Sequence, residues 1–341
     1  MKKIRTEEAI GHVLCHDITQ IVKDVKKGVA FKKGHVVTKE DIPVLLSIGK
    51  EHLYIWEKNE HMLHENEAAE ILYNVCRNEH MTASEVKEGK IEVIAECDGV
   101  LKVDVERLMD INSIDEVMIA TRHTNSQVKK GEKLAGTRVI PLLIQKATME
   151  EVKKVAGSEP LLKLMPYLKQ KVGIVTTGSE VYKGRIKDAF GPVIRQKLAP
   201  FNAEVLGQVI VDDKVEMITS VINDFLNQGA DIIVCTGGMS VDPDDVTPSA
   251  IKETGAHIIS YGAPVLPGAM FLLAYTEKGV PIMGLPGCVM YAGATIFDLV
   301  LPRIIAGEKI SKKDLVRLGH GGLCTGCKPC TYPHCSFGKG E

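Results

Sequence analysis

Short apolar runs alternate with segments of helical spacing through the second half of the chain. VGIVTT (172–177), EVLGQVIV (204–211), DIIVCT (231–236), HIIS (257–260), FLLAYT (271–276) and PIMGLP (281–286) read as strands. Between and after them, helical periodicity falls around Pro192–Leu198, over Val215–Asn227, after Thr247 and over Val289–Ile305. Strands that are apolar almost throughout, rather than on alternate residues, are covered on both faces. The pattern therefore predicts an α/β fold: a doubly wound, mostly parallel sheet between layers of helices.

The first half is patterned differently. Lys3 to about Tyr54 reads as short strands and turns, with VAFKKGHVVTKEDIPVLLSIG giving a strand, a turn, a strand and a short helix. HMLHENEAAEILYNVCRN (61–78) has apolar residues at Leu63, Ala68, Ala69, Leu72, Val75 and Cys76, close to helical spacing. His61 and His64 lie three apart there; the spacing permits a metal pair, but a solvated helix face is the expectation. Strands recur from Ile91 to Val139, followed by a helix, ATMEEVKKVAG, and a lysine-bearing linker, LLKLMPYLKQK. The expected organisation is a front segment (1–60), a strand-rich accessory domain with its linker helix (61–168), an α/β domain (169–308) and a cysteine-rich tail (309–341), with the main boundary near Leu168.

Composition narrows the function. The 341 residues are 45% hydrophobic, enough for several cores, and carry 42 Lys plus Arg against 44 Asp plus Glu, a formal charge of -2. That balance gives no large electrostatic footprint for nucleic acid or membrane, so any anion must be held locally. No apolar core of signal-peptide length opens the chain and no run is long enough to span a membrane, so the cytoplasm is expected. Cys15, Cys76, Cys97, Cys235 and Cys288 sit among apolar neighbours, where a thiol behaves as a small hydrophobe.

Three strand exits carry the chemistry. They are Thr176-Thr177-Gly178-Ser179-Glu180, Thr236-Gly237-Gly238-Met239-Ser240 and Gly284-Leu285-Pro286-Gly287. Glycine lets a backbone turn sharply and approach a ligand closely, and the amides at a following helix start favour a phosphate. Strand-end loops of this kind gather at one edge of a doubly wound sheet. Carboxylates follow them: Glu180, Asp242, Asp244 and Asp245, with Asp212 or Asp213 after the second strand. Acids beside a phosphate cradle make sense if Mg2+ bridges them to the ligand; taken singly, each of Asp244 and Asp245 reads equally as a helix cap.

In order and spacing, VTTGSE, TGGMSVDPDDVTP, PVLPGAM and GLPG resemble the molybdopterin-binding domain of the molybdopterin molybdotransferases, shared with gephyrin and the molybdopterin adenylyltransferases. The resemblance covers about Lys171 to Ile305, and more weakly the front of the chain through VLCHDI and KKGHVVTKEDIPVLLSIG. It implies binding of molybdopterin or adenylyl-molybdopterin, insertion of molybdate with release of AMP, a requirement for Mg2+, and a homodimer. By the same resemblance, Glu180 and Asp245 are expected to be catalytic and to help hold Mg2+, and Gly178, Thr236, Gly237, Gly238 and Ser240 to bind the pterin. From the strand exits themselves, Asp213 and Asp242 join the expected Mg2+ site, and Thr177, Ser179, Pro286 and Gly287 the expected pterin site. The family's PGKP lysine is absent from Pro267-Gly268-Ala269-Met270. Its GLPGNPVS segment reads Gly284-Leu285-Pro286-Gly287-Cys288-Val289-Met290-Tyr291, its DSN reads Asp188-Ala189-Phe190, and the second acid of its GD-x-D loop falls on Pro243. Fewer donors for a tetrahedral dianion open an alternative: a non-catalytic protein that binds the finished cofactor and delivers it to a molybdenum enzyme.

Where the molybdotransferases end in a barrel domain, this chain has HGGLCTGCKPCTYPHCSFGKGE. Cys324, Cys327, Cys330 and Cys335 are spaced C-x2-C-x2-C-x4-C, within reach of one zinc ion or iron–sulfur cluster, with His320 and His334 as substitute ligands. In the delivery reading this tail serves docking or redox sensing.

Overall fold

The computed structural model describes residues 2–22, 26–55, 61–240, 242–243 and 245–340. The chain divides into two compact units. One comprises Met1–Ala95, Val103–Arg122 and Glu132–Lys163, and the other Glu96–Lys102, His123–Gly131 and Leu164–Glu341.

In the first unit, strand Lys2–Arg5 pairs antiparallel with His52–Ile55, and Ile18–Val22 with Lys26–Phe31. Leu14, Ile18, Leu45 and Leu53 bury the small core between them. A four-stranded antiparallel sheet follows, ordered Met81–Ala83, Lys90–Ala95, Lys133–Val139, Val117–Thr121. Helix Glu65–Cys76 covers its two middle strands. The periodicity at 61–78 runs past a boundary, because Met62–His64 is a strand and the helix begins at Glu65. His64 is not on a solvated face. It is 2% exposed, its Nδ1 accepts from Asn66 N at 3.2 Å and its Nε2 donates to Cys15 O at 2.9 Å. Burial lowers its pKa, and with both nitrogens engaged it caps the helix as a neutral ring rather than ligating a metal.

The second unit holds a six-stranded sheet. We label its strands β1 (Lys171–Thr177), β2 (Glu204–Val211), β3 (Ile232–Thr236), β4 (His257–Tyr261), β5 (Leu272–Tyr275) and β6 (Pro281–Leu285). Their order across the sheet is β2-β1-β3-β6-β5-β4. The first four run parallel, whereas β5 is antiparallel to both of its neighbours. Chain length explains the exception. Only residues 276–280 join β5 to β6, closed by Gly279 N donating to Thr276 O at 2.9 Å, and a parallel crossover needs a dozen or more.

Alternation along the strands feeds two cores. Val172, Ile174, Ile232 and Val234 meet helices α1 (Phe190–Leu198) and α4 (Ile296–Ile305). Val175, Ile233 and Cys235 meet α2 (Val215–Asn227) and α3 (Thr247–Glu253) on the opposite face. Gly173 belongs to the second set, and its missing side chain makes room for a ring: a Cβ there would lie 2.6 Å from Phe225 Cγ. Burial pushes the thiols of Cys76 and Cys235 up to about 12, so both remain neutral and apolar.

Two expectations are corrected here. LLKLMPYLKQK is not wholly a linker, since Leu162–Pro166 is a strand. Nor is Val289–Ile305 one helix: a short 3-10 turn, Gly287–Met290, precedes α4, which starts where Thr295 and Asp298 form a reciprocal capping box. Among the described residues no helix is long and apolar enough to cross a membrane.

Beyond α4, the chain is fastened by charge. Arg303 is 2% exposed and donates twice to Glu308, at 2.9 and 2.7 Å, with Asp314 at 3.4 Å; Glu308 also accepts from Lys102 at 2.8 Å. Burial acts to raise the Glu308 pKa, but its cationic partners outweigh burial and hold the carboxyl below its ordinary value. Lys102, itself lowered by burial and by Arg303, contributes less than the guanidinium. Because the folded-state value is depressed, this stabilisation is present above the ordinary glutamate pKa and lost as pH falls through the folded one. Glu308→Gln should cost about 3 kcal/mol in urea unfolding at neutral pH, and the deficit should shrink on acidification. An equal deficit at both pH values would contradict this assignment.

Candidate functional site

Register places the strand exits side by side. Thr177 pairs with Val211, Thr176 with Thr236, and Thr236 with Leu285, so the chain leaves β1, β2, β3 and β6 at one edge of the sheet. β5 enters from that edge, because its first residue, Leu272, pairs with Gly284. The segment Pro267-Gly268-Ala269-Met270 therefore approaches the same rim.

Buried hydroxyls shape the loop after β3. Thr247 Oγ1 donates to Gly237 O at 2.9 Å and lies 3.2 Å from Thr177 Oγ1, which becomes its donor. Thr236 Oγ1 donates to Thr176 Oγ1 at 3.2 Å, and Gln208 Nε2 bonds the same Thr176 oxygen at 2.9 Å and Asp188 Oδ2 at 2.7 Å. These threonines are at most 3% exposed, so the side chains of Thr177 and Thr236 hold the loop while the backbone beyond them faces the rim. Gly237 is obligatory on two counts: its φ is +86°, and a Cβ would lie 2.2 Å from Thr177 O. Gly238, at φ +55°, would bring a Cβ within 2.8 Å of Thr247 Oγ1. Tyr261 Oη reaches Met239 O at 3.0 Å and Ser240 O at 3.1 Å. Burial first, and the Asp245 charge second, raise its pKa, so the phenol remains a donor.

The acids have local partners. Ser179 N donates to Asp213 Oδ2 at 2.7 Å, and the Ser179 hydroxyl donates to Asp212. That hydroxyl, followed by the nearby Lys183 and Lys214 charges, holds Asp212 below its ordinary value. Asp242 N donates to Asp245 Oδ2 at 3.2 Å, and Asp245 N to Asp242 O at 2.9 Å, which closes a turn. Glu180, Ser240, Asp242 and Gly287 are exposed, Pro286 is buried, and Gly178 is half-buried. Asp244 lies outside the described residues. Among those described, no group of three or more His, Cys, Asp or Glu is placed to hold a metal ion. Neither the four predicted magnesium acids nor the four tail cysteines are gathered into such a set. All nine cysteines are free; Cys324 and Cys335 are half-buried, Cys327 and Cys330 exposed.

Several contributors escaped sequence reasoning. Thr247 stands in the TGGMSVDPDDVTP segment and Gln208 in a strand outside any motif, and only the packing shows what their polar groups bind. Lys183, Arg185 and Lys187 form an exposed cationic stretch directly after the helical turn Ser179–Tyr182, with Lys183 Nζ 4.0 Å from Asp212. Their clustering in KGRIK was a readable signal.

Residues 173–306 match a family model described as "Probable molybdopterin binding domain", and residues 3–57 one described only as a domain of unknown function. The first match takes in nearly the whole of the six-stranded sheet and its helices. A molybdopterin adenylyltransferase from Pyrococcus furiosus is 30% identical over 92 residues, 27% of this chain and 54% of that protein. A molybdopterin molybdenumtransferase from Synechococcus elongatus is 23% identical over 197 residues, 54% of this chain and 46% of that protein. A CinA-like protein from Mycobacterium avium is 36% identical over 83 residues, 24% of this chain and 19% of that protein. The chain spans about half or less of the length of these relatives.

Removal of the Thr247 hydroxyl tests the loop. Thr247→Val leaves Gly237 O and the Thr177 hydroxyl without their partner and should cost about 1–3 kcal/mol in denaturant unfolding, with Thr247→Ser near the parent. Equal stability of the valine and serine variants would refute this role.

Proposed function

We propose that residues 173–306 bind molybdopterin or its adenylylated form at the rim where β1, β2, β3 and β6 end, and that the protein serves molybdenum-cofactor assembly. The observation that carries this is the convergence of those exits around the Gly237-Gly238 loop, with Lys183, Arg185 and Lys187 supplying positive charge beside it. The family match over nearly the whole of that sheet supports the identity of the ligand.

In this reading the exposed backbone from Gly237 to Ser240 and the amides of the Ser179 turn take the ligand's phosphate, and the cationic stretch offsets its charge. Magnesium, when bound, supplies charge neutralisation between phosphate and protein. Mg2+ commonly takes one or two carboxylates together with substrate oxygens and water. Glu180 and Asp245 are the proposed ligands, with Asp213 and Asp242 contributing through water. Asp212 and Asp213 first hold Ser179 in place.

Carriage of the cofactor without insertion is favoured by Ala269 and Met270, which bring no cation to the rim. Insertion of molybdate with release of AMP is favoured by the retained Glu180 and Asp245. A homodimer and a recipient molybdenum enzyme belong to this proposal by family resemblance.

Affinity for molybdopterin, followed by fluorescence titration, should fall at least about tenfold in Lys183→Glu/Arg185→Glu, as expected when exposed cations near a polyanion are reversed, with the melting temperature unchanged. Unaltered affinity would remove the rim as the binding site. With adenylyl-molybdopterin, molybdate and Mg2+, AMP release abolished by Glu180→Gln would establish insertion; tight binding without release would establish carriage.

A further inference from the structure

The cysteine tail is a closed and anchored loop. Gly338 N donates to Gly321 O at 2.9 Å, which shuts its base. Leu323 forms a parallel bridge with Leu266, reinforced by Leu266 N to Gly322 O and Cys324 N to Leu266 O, both 2.8 Å. Tyr332 Oη donates to Asp298 O at 2.7 Å and accepts from Gln127 Nε2 at 3.0 Å, and Phe337 is 3% exposed. Cys330 lies directly on the backbone of Gly293, where a Cβ would be 2.9 Å from its sulfur. Both ends of the loop and Tyr332 are thus fixed by contacts that involve no cysteine side chain, and Cys330 adds a packing contact on Gly293.

Between these anchors nothing regular forms. From Cys324 to Cys335 there is no helix or strand, and the backbone makes one turn, His334 N to Thr331 O at 2.7 Å. Residues 325–331 are all exposed, so the stretch between Cys324 and Tyr332 has few packing contacts to fix its conformation. Yet the loop carries four of the nine cysteines, at a C-x2-C-x2-C-x4-C spacing short enough for one metal to reach all four sulfurs. Cys324 and Cys335 pack partly against the core, whereas Cys327 and Cys330 face outward.

We propose that Cys324, Cys327, Cys330 and Cys335 form a tetrathiolate site for a thiophilic metal, either a zinc ion or an iron–sulfur cluster. Binding folds the two outward cysteines over the two half-buried ones. Each sulfur gives up its proton as its metal bond forms, and the protons pass to solvent. The anchors to Leu266, Gly293 and Asp298 tie the loop to the β4–β5 connection, to the segment leading into α4 and to the first turn of α4.

The test uses the full chain, purified without oxygen and assayed for zinc, iron and acid-labile sulfide, followed by titration of the stripped protein with Zn2+ or Co2+ and by reconstitution with iron and sulfide. About one zinc ion or one cluster per chain is expected, with four thiols withdrawn from reaction with a thiol reagent on loading and cobalt giving thiolate charge-transfer bands. Labile sulfide with visible colour identifies the cluster, and stoichiometric zinc without colour the mononuclear site. Cys327→Ser/Cys330→Ser keeps the approximate size of two exposed side chains, so it should keep the parent melting temperature without metal and lose metal retention at least tenfold. Four thiols that stay reactive under every loading condition, disulfides among them in the native protein, or retention unaffected by the double substitution would each overturn the proposal. None of these readouts involves a pterin, so the result is separable from the function proposed above.

Discussion

The buried hydroxyl of Thr247 ties the loop after β3 to the end of β1. It joins the first turn of α3 to the carbonyl of Gly237 and to Thr177 at the end of β1. Unpaired polar groups at this depth cost about 1–3 kcal/mol each, so the bonds hold the loop in place. Gly237 and Gly238 take positive φ because the chain must double back under that tether. Sheet register brings the β1 and β3 exits together, and the tether sets the course of the loop that leaves β3.

Charge is used twice in this unit, in different surroundings. At the rim, carboxylates occupy themselves with backbone and hydroxyl donors while three cations remain exposed, leaving a mixed field in which water screens single charges. Beneath α4, Arg303, Glu308, Asp314 and Lys102 interact with little screening, and removal of one partner strands the others. The first arrangement suits reversible binding of an anion. The second fixes the start of the tail to the domain, so the cysteine loop begins from a rigid base.

The architecture of the second unit was plain in the sequence because its strands are buried on both faces. Runs such as DIIVCT declare themselves without reference to any partner, and the helix Val215–Asn227 was delimited to the residue. Reading failed where a residue's role depended on a distant segment. His64 looked like part of a helical face until its ring was found bonded to Cys15 O, and Leu162–Pro166 looked like a linker because its pairing partner lies far off in sequence.

The sequence by itself determined the sheet, its helices and the glycine-bearing exits, because hydrophobic periodicity and backbone permissiveness are local properties of the chain. Tertiary structure decided what each polar side chain does. It turned Thr177 and Thr236 inward, assigned Asp212 and Asp213 to Ser179, set β5 antiparallel and brought Lys183 beside an acid. A hydrogen bond or ion pair is settled by which groups lie within about 3–4 Å after packing, and residues such as Thr177 and Thr247 meet only when the sheet and its helices have closed around them.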